Sequence, residues 1–306
     1  MKRREFMKSG AALIAGAFVL KNASAAISHS DSLTPSGAIA VPKGGNKRMI
    51  KLLKVKGISI GEGAPKLIVP TTATQESEVL DSVRQLAAVK EIDVVEFRLD
   101  YLDNALDKIA VAKMTRQVAE LLPNKVMLVT FRTEAEGGAK AISDAAYGSL
   151  YLEILNNGKA DLLDVEMFRS EAVVSKVVAQ AHQQGVAIVM SSHDFKKTPP
   201  KEELIRRLRH QQALGADILK IATMPHDSGD VLSLMNATWE MHSQYAERPL
   251  LTMSMKGIGV VSRLSGELTG SALTFGMVGK PSAPGQIDAS HLHQVLDVIH
   301  QASQPV

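Results

Sequence analysis

The chain contains no cysteine among its 306 residues. This absence excludes disulfide bonds, thiolate nucleophiles and cysteine-ligated metal sites. It also makes the protein indifferent to an oxidising compartment. The length suits one large domain or two small ones, and 45% hydrophobic with 22% charged residues is ordinary for a globular enzyme.

The N-terminal region has no apolar run long enough to span a bilayer. Its apolar segment, residues 9–20, has 12 residues, whereas a spanning helix needs about 20. Arg3 and Arg4 precede this segment, and the small residues 23–25 follow it. The pattern predicts a twin-arginine signal peptide over residues 1–25 with cleavage after Ala25, rather than an uncleaved anchor or a chance basic start. We therefore expect a periplasmic mature protein without stable membrane insertion.

The chain has no charge surplus once this segment is removed. Residues 1–25 carry a net charge of +4 and the whole chain carries +3, so the remainder carries −1. Composition therefore gives no reason to expect nucleic-acid binding. Residues 26–50 are rich in Ser, Gly and Pro without periodicity, which predicts a flexible linker before a catalytic domain over residues 51–306.

Strand-like and helix-like segments alternate through that domain. A short hairpin is predicted near residues 55–60, followed by eight apolar strands, each with a helical segment after it. This pattern predicts an α/β fold, a (β/α)8 TIM barrel with an N-terminal β-hairpin, with its active site at the carboxyl ends of the strands. The alternative is an open doubly wound sheet, but no Gly-x-Gly-x-x-Gly motif follows the first strand. The predicted strands are Lys66–Thr72, Val94–Asp100, Val126–Arg132, Leu162–Met167, Ala187–His193, Ile218–Met224, Leu250–Met255 and Ala272–Val278.

Lys220 lies in the middle of an apolar strand, and His193 ends the strand before it. Burying a lysine in its charged form costs free energy, which favours the neutral amine that a Schiff-base nucleophile needs. An imidazole at a neighbouring strand end could then move protons. The alternatives are a lysine whose amine reaches the rim of the barrel and a histidine with a structural role.

Charged residues also stand at the ends of the second and third strands. Glu96, Arg98 and Asp100 alternate along one strand, so they are expected on one face, either as a structural ion-pair network or around a ligand. Arg132 ends the next strand and suits a carboxylate or hydroxyl ligand. Glu136 follows in a glycine-containing loop, where it could orient an imidazole, unless this loop is simply solvated.

The last two strands supply further candidates. Met253 and Met255 share one face and offer an adaptable apolar wall. Arg263 opens a helical segment and could hold an anionic group. The Pro- and Gly-containing segment after the eighth strand, residues 280–286, is placed over the barrel mouth and suits a lid.

Six motifs, in this order, resemble type I 3-dehydroquinate dehydratase over roughly residues 50–302. Each motif alone is weak, but six in register are specific. The motifs are Glu-Phe-Arg-Leu-Asp (96–100), Thr-Phe-Arg-Thr-x-x-Glu-Gly-Gly (130–138), Ser-His-Asp-Phe (192–195), Asp-x-x-Lys-Ile-Ala-x-Met-Pro (217–225), Met-Ser-Met with a downstream Ser-Arg (253–263) and Ser-Ala-Pro-Gly-Gln (282–286).

The resemblance implies dehydration of 3-dehydroquinate to 3-dehydroshikimate through a lysine Schiff base, without a metal or other cofactor, in a homodimer. It implies that Lys220 condenses with the ketone, that His193 moves the protons and that Glu136 orients His193. The implied substrate-binding residues are Glu96, Arg98, Arg132, Arg263, Ser282, Ala283, Gln286, Met253 and Met255. One departure from the family is Lys-Gly-Ile-Gly at 256–259, where an acid is frequent.

The predicted export favours quinate degradation over the shikimate pathway of aromatic amino acid biosynthesis, because biosynthetic intermediates are cytoplasmic. Two other functions stay open at this point. Another Schiff-base barrel enzyme, such as an aldolase or transaldolase, would share Lys220 but would not need the arginines and Gln286. A periplasmic binding protein for hydroxy acids would need the arginines but not Lys220.

Overall fold

The computed structural model describes residues 49–279 and 281–304. The predicted signal peptide and residues 26–48 of the predicted linker lie outside them. In the described part of the chain, no helix is long and apolar enough to cross a membrane.

Eight parallel strands follow one another around the central sheet. Their register is continuous from neighbour to neighbour, and a short ninth strand joins the last of them. After an N-terminal hairpin of β1 (Leu53–Val55) and β2 (Ile58–Ile60), the strands are β3 (Lys66–Thr71), β4 (Val94–Arg98), β5 (Val126–Thr130), β6 (Leu162–Glu166), β7 (Ala187–Asp194), β8 (Ile218–Thr223), β9 (Leu250–Ser254), β10 (Leu273–Met277) and the short β11 (Ile287–Asp288).

The sheet curls until its last strand meets its first. β10 pairs with β3 in parallel register. On its other side, a parallel bridge joins Leu250 to Ser271, and the Ala272 N–H donates to the Leu250 carbonyl at 2.8 Å. The predicted (β/α)8 barrel with an N-terminal hairpin is therefore confirmed.

Helices connect the strands on the outside of the barrel. Several begin at residues whose side chains accept hydrogen bonds from the first free backbone N–H groups, such as Asp107 before α2 and Asp288 before α9. The helices are α1 (Glu76–Ala88), α2 (Lys108–Glu120), α3 (Asp144–Asn157), α4 (Glu171–Gln183), α5 (Lys201–Ala213), α6 (Ser228–Glu240), α7 (Val260–Leu264), α8 (Gly266–Thr269) and α9 (Ala289–Ser303).

The barrel interior changes from apolar to polar along the strands. Since alternate residues of a strand face the same side, Val94 and Glu96 share one face of β4, and Leu162 and Asp164 share one face of β6. The apolar members of such pairs belong to a buried cluster inside the barrel. The polar members follow them toward the carboxyl ends of the strands, which is where the fold places its chemistry.

The hairpin packs on this interior cluster. Ile60 is a fully buried member of this cluster. Leu53, Val55 and Ile58 are half-buried and pack against the cluster. A second and larger cluster lies between the strands and the surrounding helices. The hairpin therefore contributes apolar cover to the barrel interior.

The predicted strands and helices differ from the observed ones mostly by one or two residues at their ends. β4 ends at Arg98 because residues 99–101 form a 3-10 turn. Helical periodicity predicts one helix over residues 230–245, which divides in the structure into α6 and a π-helical turn, Met241–Tyr245. The short strand β11 was not predicted, since two residues carry no periodic signal.

Candidate active site

One cavity at the carboxyl ends of the strands is lined by every residue that the sequence predicted for the site. Its empty volume is about 530 Å³, including the part open to solvent, which suits a small ligand. The predicted residues in its lining are Glu96, Arg98, Arg132, Glu136, His193, Lys220, Met253, Met255, Arg263, Ser282, Ala283 and Gln286.

Lys220 occupies the centre of β8, between Ser191 of β7 and Leu251 of β9 in register. It is 2% exposed. Its Nζ lies 2.8 Å from Asp164 Oδ2 and 3.8 Å from Glu96 Oε1. The amine does not reach the rim; it is buried beside two carboxylates.

The Lys220 backbone is held from outside the barrel. The side-chain amide of Gln211, on α5, donates to the Lys220 carbonyl and accepts from the Lys220 N–H, each at 2.9 Å. Gln211 is fully buried. The sequence prediction missed this residue, because a glutamine in an amphipathic helix carries no signal of a backbone contact.

Beneath the cavity, Arg132 joins two acidic residues of β6. Its Nη2 donates to Asp164 Oδ1 at 2.6 Å and its Nη1 to Glu166 Oε1 at 2.9 Å. Glu166 also accepts from the N–H and hydroxyl of Thr133, both at 2.8 Å. Arg132 thus lines the cavity with much of its hydrogen-bonding capacity already used by the protein.

Asp164 and Glu166 were missed as site residues, although the sequence contained a signal for them. Their segment, Leu-Leu-Asp-Val-Glu, shows the same alternation of charged and apolar residues as Glu96 and Arg98. Burial alone would raise the pKa of Asp164, but Arg132, Lys220 and the Ser191 hydroxyl lower it to about 2.

Asp100 has the structural role that the sequence left open. It lies in the turn after β4, fully buried, and forms two hydrogen bonds with Arg98, to Nε at 2.8 Å and to Nη2 at 2.7 Å. It also accepts from the backbone N–H groups of Arg132 and Ala139. Asp100 therefore orients Arg98 and fixes both ends of the loop that carries Glu136.

His193 and Glu136 form a close pair. Glu136 Oε2 lies 2.9 Å from His193 Nδ1 and accepts from the His193 backbone N–H at 3.1 Å. Burial and the cations Arg132, Lys220 and Arg98 hold the pKa of His193 well below its usual 6.5. Burial, together with the nearby carboxylates, raises the pKa of Glu136 to about 8. A neutral imidazole with its Nδ1 engaged has Nε2 available to take a proton.

Arg263 is a buried cation with spare donors. It is 2% exposed, and its Nη2 donates to the Pro284 carbonyl at 3.3 Å. Its Nε and Nη1 have no partner among the described residues. Burial lowers its pKa to about 10, which still leaves it charged at neutral pH. Such a group is suited to an anion in the cavity.

The loop after β10 lies against the cavity. Gln286 accepts from the Ser282 N–H at 2.7 Å and donates to the Ser282 hydroxyl at 3.0 Å, so the two residues brace the loop that includes Ala283. The Lys256 N–H donates to the Pro284 carbonyl at 3.2 Å. Lys256 has a φ of +60°, an uncommon conformation for a residue with a side chain. The position that departs from the family pattern therefore contacts the loop.

Apolar side chains complete the wall. Met253 and Met255 are buried, as expected, beside Phe275, whose ring centroid lies 4.9 Å from Lys220 Nζ. Phe195 covers part of the cavity at 38% exposure. The two phenylalanines were not predicted as site residues, since an aromatic residue in or after a strand usually marks only the core.

The fold and the cavity define a class: a (β/α)8-barrel enzyme with a buried amine, an imidazole–carboxylate pair and cationic side chains around one small site. Within the described ranges, no cluster of three or more His, Asp or Glu residues is placed to hold a metal ion. The family model of type I 3-dehydroquinase matches residues 67–303. The chain belongs to this family and is a hydro-lyase of the type I 3-dehydroquinate dehydratase group.

Relatives and solved structures agree with this assignment. The chain is 44% identical to a 3-dehydroquinate dehydratase of Bacillus subtilis over 252 residues, which covers 82% of this chain and 98% of the relative. It is 45% identical to that of Listeria innocua over 247 residues, covering 81% and 97%. A type I enzyme from Clostridium difficile, whose structure contains covalently modified comenic acid, superposes with a TM-score of 0.80 at 43% identity, covering 83% and 100%.

Proposed function

We propose that this chain converts 3-dehydroquinate to 3-dehydroshikimate and water through a Schiff base on Lys220. The observation that carries the proposal is the convergence of three groups on one cavity: the buried Lys220 amine, the neutral His193 imidazole and the unpaired N–H groups of Arg263. An amine nucleophile, a base and a carboxylate-binding cation are the parts that such a reaction needs.

The reaction begins with the lone pair of Lys220 Nζ attacking the ketone carbon of the substrate. The former ketone oxygen takes one proton from the attacking nitrogen and a second from solvent and leaves as water, which gives an iminium; the final hydrolysis returns the second proton to solvent. His193 then removes a proton from C2, and the electron pair moves onto the nitrogen to form an enamine. When the pair returns, the C1–O bond breaks, and the hydroxyl leaves as water with the proton from His193. Hydrolysis of the conjugated iminium restores the amine and releases the product.

The remaining residues bind and orient in this scheme. Glu136 accepts from His193 Nδ1 and presents Nε2 to the substrate. Arg263 and Gln286 hold the carboxylate, with Ser282 and Ala283 in the closing loop.

Glu96 and Arg98 bind hydroxyl groups of the substrate in this scheme. Arg132 does so with the N–H groups that do not donate to its carboxylate partners. Asp100 supports this assignment by orienting Arg98. Met253 and Met255 pack against the apolar part of the ring.

Borohydride trapping tests this function directly. Wild-type protein is incubated with 3-dehydroquinate and borohydride, followed by intact mass and peptide mapping, with Lys220→Met as the control. We expect a substrate-sized adduct on Lys220 that disappears without borohydride and in the variant. Turnover without any adduct would refute the Schiff base, and neither turnover nor adduct would refute the enzyme function.

We further propose that the enzyme works in the periplasm, in quinate degradation. This proposal rests on Arg3 and Arg4, the apolar segment 9–20 and the small residues before Ala26. Cell fractionation with intact-mass analysis should find a mature chain that begins at Ala26 in the periplasm. The double variant R3K/R4K should stay in the cytosol. An uncleaved wild-type chain found only in the cytosol would contradict the proposal.

A homodimer is also proposed, on the basis of the family resemblance. Size-exclusion chromatography with light scattering on the mature chain should give twice the mass of one chain. A single-chain mass at micromolar concentration would contradict it.

A further inference from the structure

Asp164 is the carboxylate nearest to the reacting nitrogen. Its Oδ2 lies 2.8 Å from Lys220 Nζ, whereas Glu96 Oε1 lies 3.8 Å away. His193 on β7 lies close enough for its charge to interact with that of this nitrogen, and the Phe275 ring centroid on β10 lies 4.9 Å away. Arg132, which follows β5, pairs with Asp164. Asp164 is thus the closest charge of opposite sign, and it approaches the amine from within the barrel.

Asp164 is held so that it cannot turn away. Its Oδ1 accepts from Arg132 Nη2 at 2.6 Å and from the Ser191 hydroxyl at 2.6 Å. Arg132 is fixed in turn by Glu166. The side chain of Asp164 is fully buried and is absent from the cavity lining. Its position is therefore set by the protein alone, and a substrate in the cavity would meet the lysine without meeting Asp164.

Glu96 is arranged differently. It lines the cavity, and its Oε1 accepts from the Thr130 hydroxyl at 2.9 Å. A carboxylate that opens onto the cavity is available to a hydroxyl of the substrate, as the proposed function assigns it. The permanent partner of the lysine nitrogen is thus Asp164.

Resting on the proposed Schiff base, we propose that Asp164 is the fixed counterion of the iminium on Lys220. When the hydroxyl of the carbinolamine takes up a proton from solvent and leaves as water, the nitrogen keeps one hydrogen and gains a positive charge. That N–H donates to Asp164 Oδ2, which accepts the hydrogen bond without taking the proton. The charge disappears when the C2 proton leaves and returns when the C1–O bond breaks.

This arrangement stabilises charge where the reaction creates it. The carbinolamine and the enamine are neutral at this nitrogen, whereas both iminium species are cationic. A preoriented carboxylate in a water-poor interior lowers the free energy of the cationic species without having to reorganise. The low pKa of Asp164 means that it stays ionised throughout the neutral pH range.

Asp164→Asn tests the counterion, because it removes the charge at nearly constant shape. Asp161→Asn is the matched control: it removes a carboxylate directly before β6 that pairs with a lysine, Lys56, at 2.7 Å and lies outside the lining of the cavity. We expect Asp164→Asn to lower kcat by about 100-fold, with KM changed far less. The fraction of enzyme trapped by borohydride at saturating substrate should fall, and Asp161→Asn should keep that fraction at the wild-type level.

Circular dichroism and thermal melting establish that each variant is folded. If Asp164→Asn does not fold, Ser191→Ala provides the test, since it removes one anchor of Asp164 and keeps the charge. It should lower kcat and the trapped fraction in the same direction by a smaller factor. A folded Asp164→Asn with wild-type kcat and a wild-type trapped fraction would overturn the inference. If Asp164→Asn does not fold, a Ser191→Ala variant with unchanged kcat and trapped fraction would overturn it. Wild-type protein without any adduct would instead overturn the Schiff base itself.

Discussion

The side chain of Gln211 forms two hydrogen bonds with the backbone of Lys220: it accepts from the Lys220 N–H and donates to the Lys220 carbonyl, both at 2.9 Å. A strand residue normally satisfies these groups with a neighbouring strand. Here a side chain from α5 bonds to both groups. The backbone of the proposed nucleophile is therefore tied to the helical layer as well as to the sheet.

Gln211→Met should destabilise the fold. The apolar replacement fits the same space but removes two buried hydrogen bonds to the Lys220 backbone, at a cost of about 2–4 kcal/mol in free energy of unfolding. Urea denaturation measures this loss. Gln183→Met, at an exposed position near the end of α4, is the control and should change stability by less than about 0.5 kcal/mol. Equal stability of the two variants would show that the hydrogen bonds between Gln211 and the Lys220 backbone do not stabilise the fold.

Arg263→Met should separate stability from ligand binding. Removing a buried cation with two nitrogens that have no partner among the described residues should leave the melting temperature of the ligand-free protein unchanged or raise it. KM should rise at least about 30-fold, because a charge-assisted contact to the substrate is lost. Kinetics and thermal melts check both, with the exposed Arg116→Met as the control. A normal KM would refute the carboxylate contact.

The pH dependence of activity should follow Glu136. Its pKa of about 8 means that it loses its proton as the pH rises through that value, and the carboxylate then stabilises positive charge on His193 and makes it a better base. We expect kcat/KM to rise between pH 6.5 and 9, in a range where His193, with its lowered pKa, is already neutral. Steady-state kinetics across this range measures the effect.

Glu136→Gln should remove this rise, because an amide does not ionise. The exposed neighbour Glu134→Gln should retain it. A wild-type profile that is flat across pH 8, or a rise that survives in Glu136→Gln, would contradict the assignment.

Gly137→Ala should reduce activity by more than its effect on stability accounts for. Gly137 has a φ of +82°, and an added Cβ would lie 2.3 Å from the Phe195 ring, which must then move at the edge of the cavity. Gly185→Ala is a matched control, since its φ is +73° and nothing lies within 4 Å of the added atom. Both variants should lose about 1–2 kcal/mol. Only Gly137→Ala should change kcat/KM, and equal kinetics would show that Phe195 does not matter.

Sequence patterns predicted the barrel well because its strands are buried on both faces. Runs such as Val126–Thr130 are continuously apolar or small, and the helices between them are amphipathic. The ends of these elements were less predictable, since local contacts such as the Arg98–Asp100 pair decide where a strand stops. Residues 1–48 carry predictions that the described structure does not test.

Within the site, residues that point into the cavity from conspicuous motifs were found, and residues that support them were not. Lys220 stands out as a charge in an apolar strand. Gln211 and Ser191 do not, because their functions depend on side-chain contacts that form only in the folded barrel, with Lys220 and Asp164 respectively. Asp164 is an intermediate case. Its alternation with Leu162 is visible in the sequence, but its pairing with Lys220 is visible only in the structure.

The buried ion pairs around Lys220 have a consequence for protein engineering. Lys220 is buried together with Asp164 and Arg132, and Arg132 depends in turn on Glu166. A lysine introduced alone into the interior of another barrel would carry an uncompensated charge, which costs several kcal/mol. The smallest part that could be grafted with its chemistry intact is therefore a set of side chains drawn from β6, β8 and the segment that follows β5.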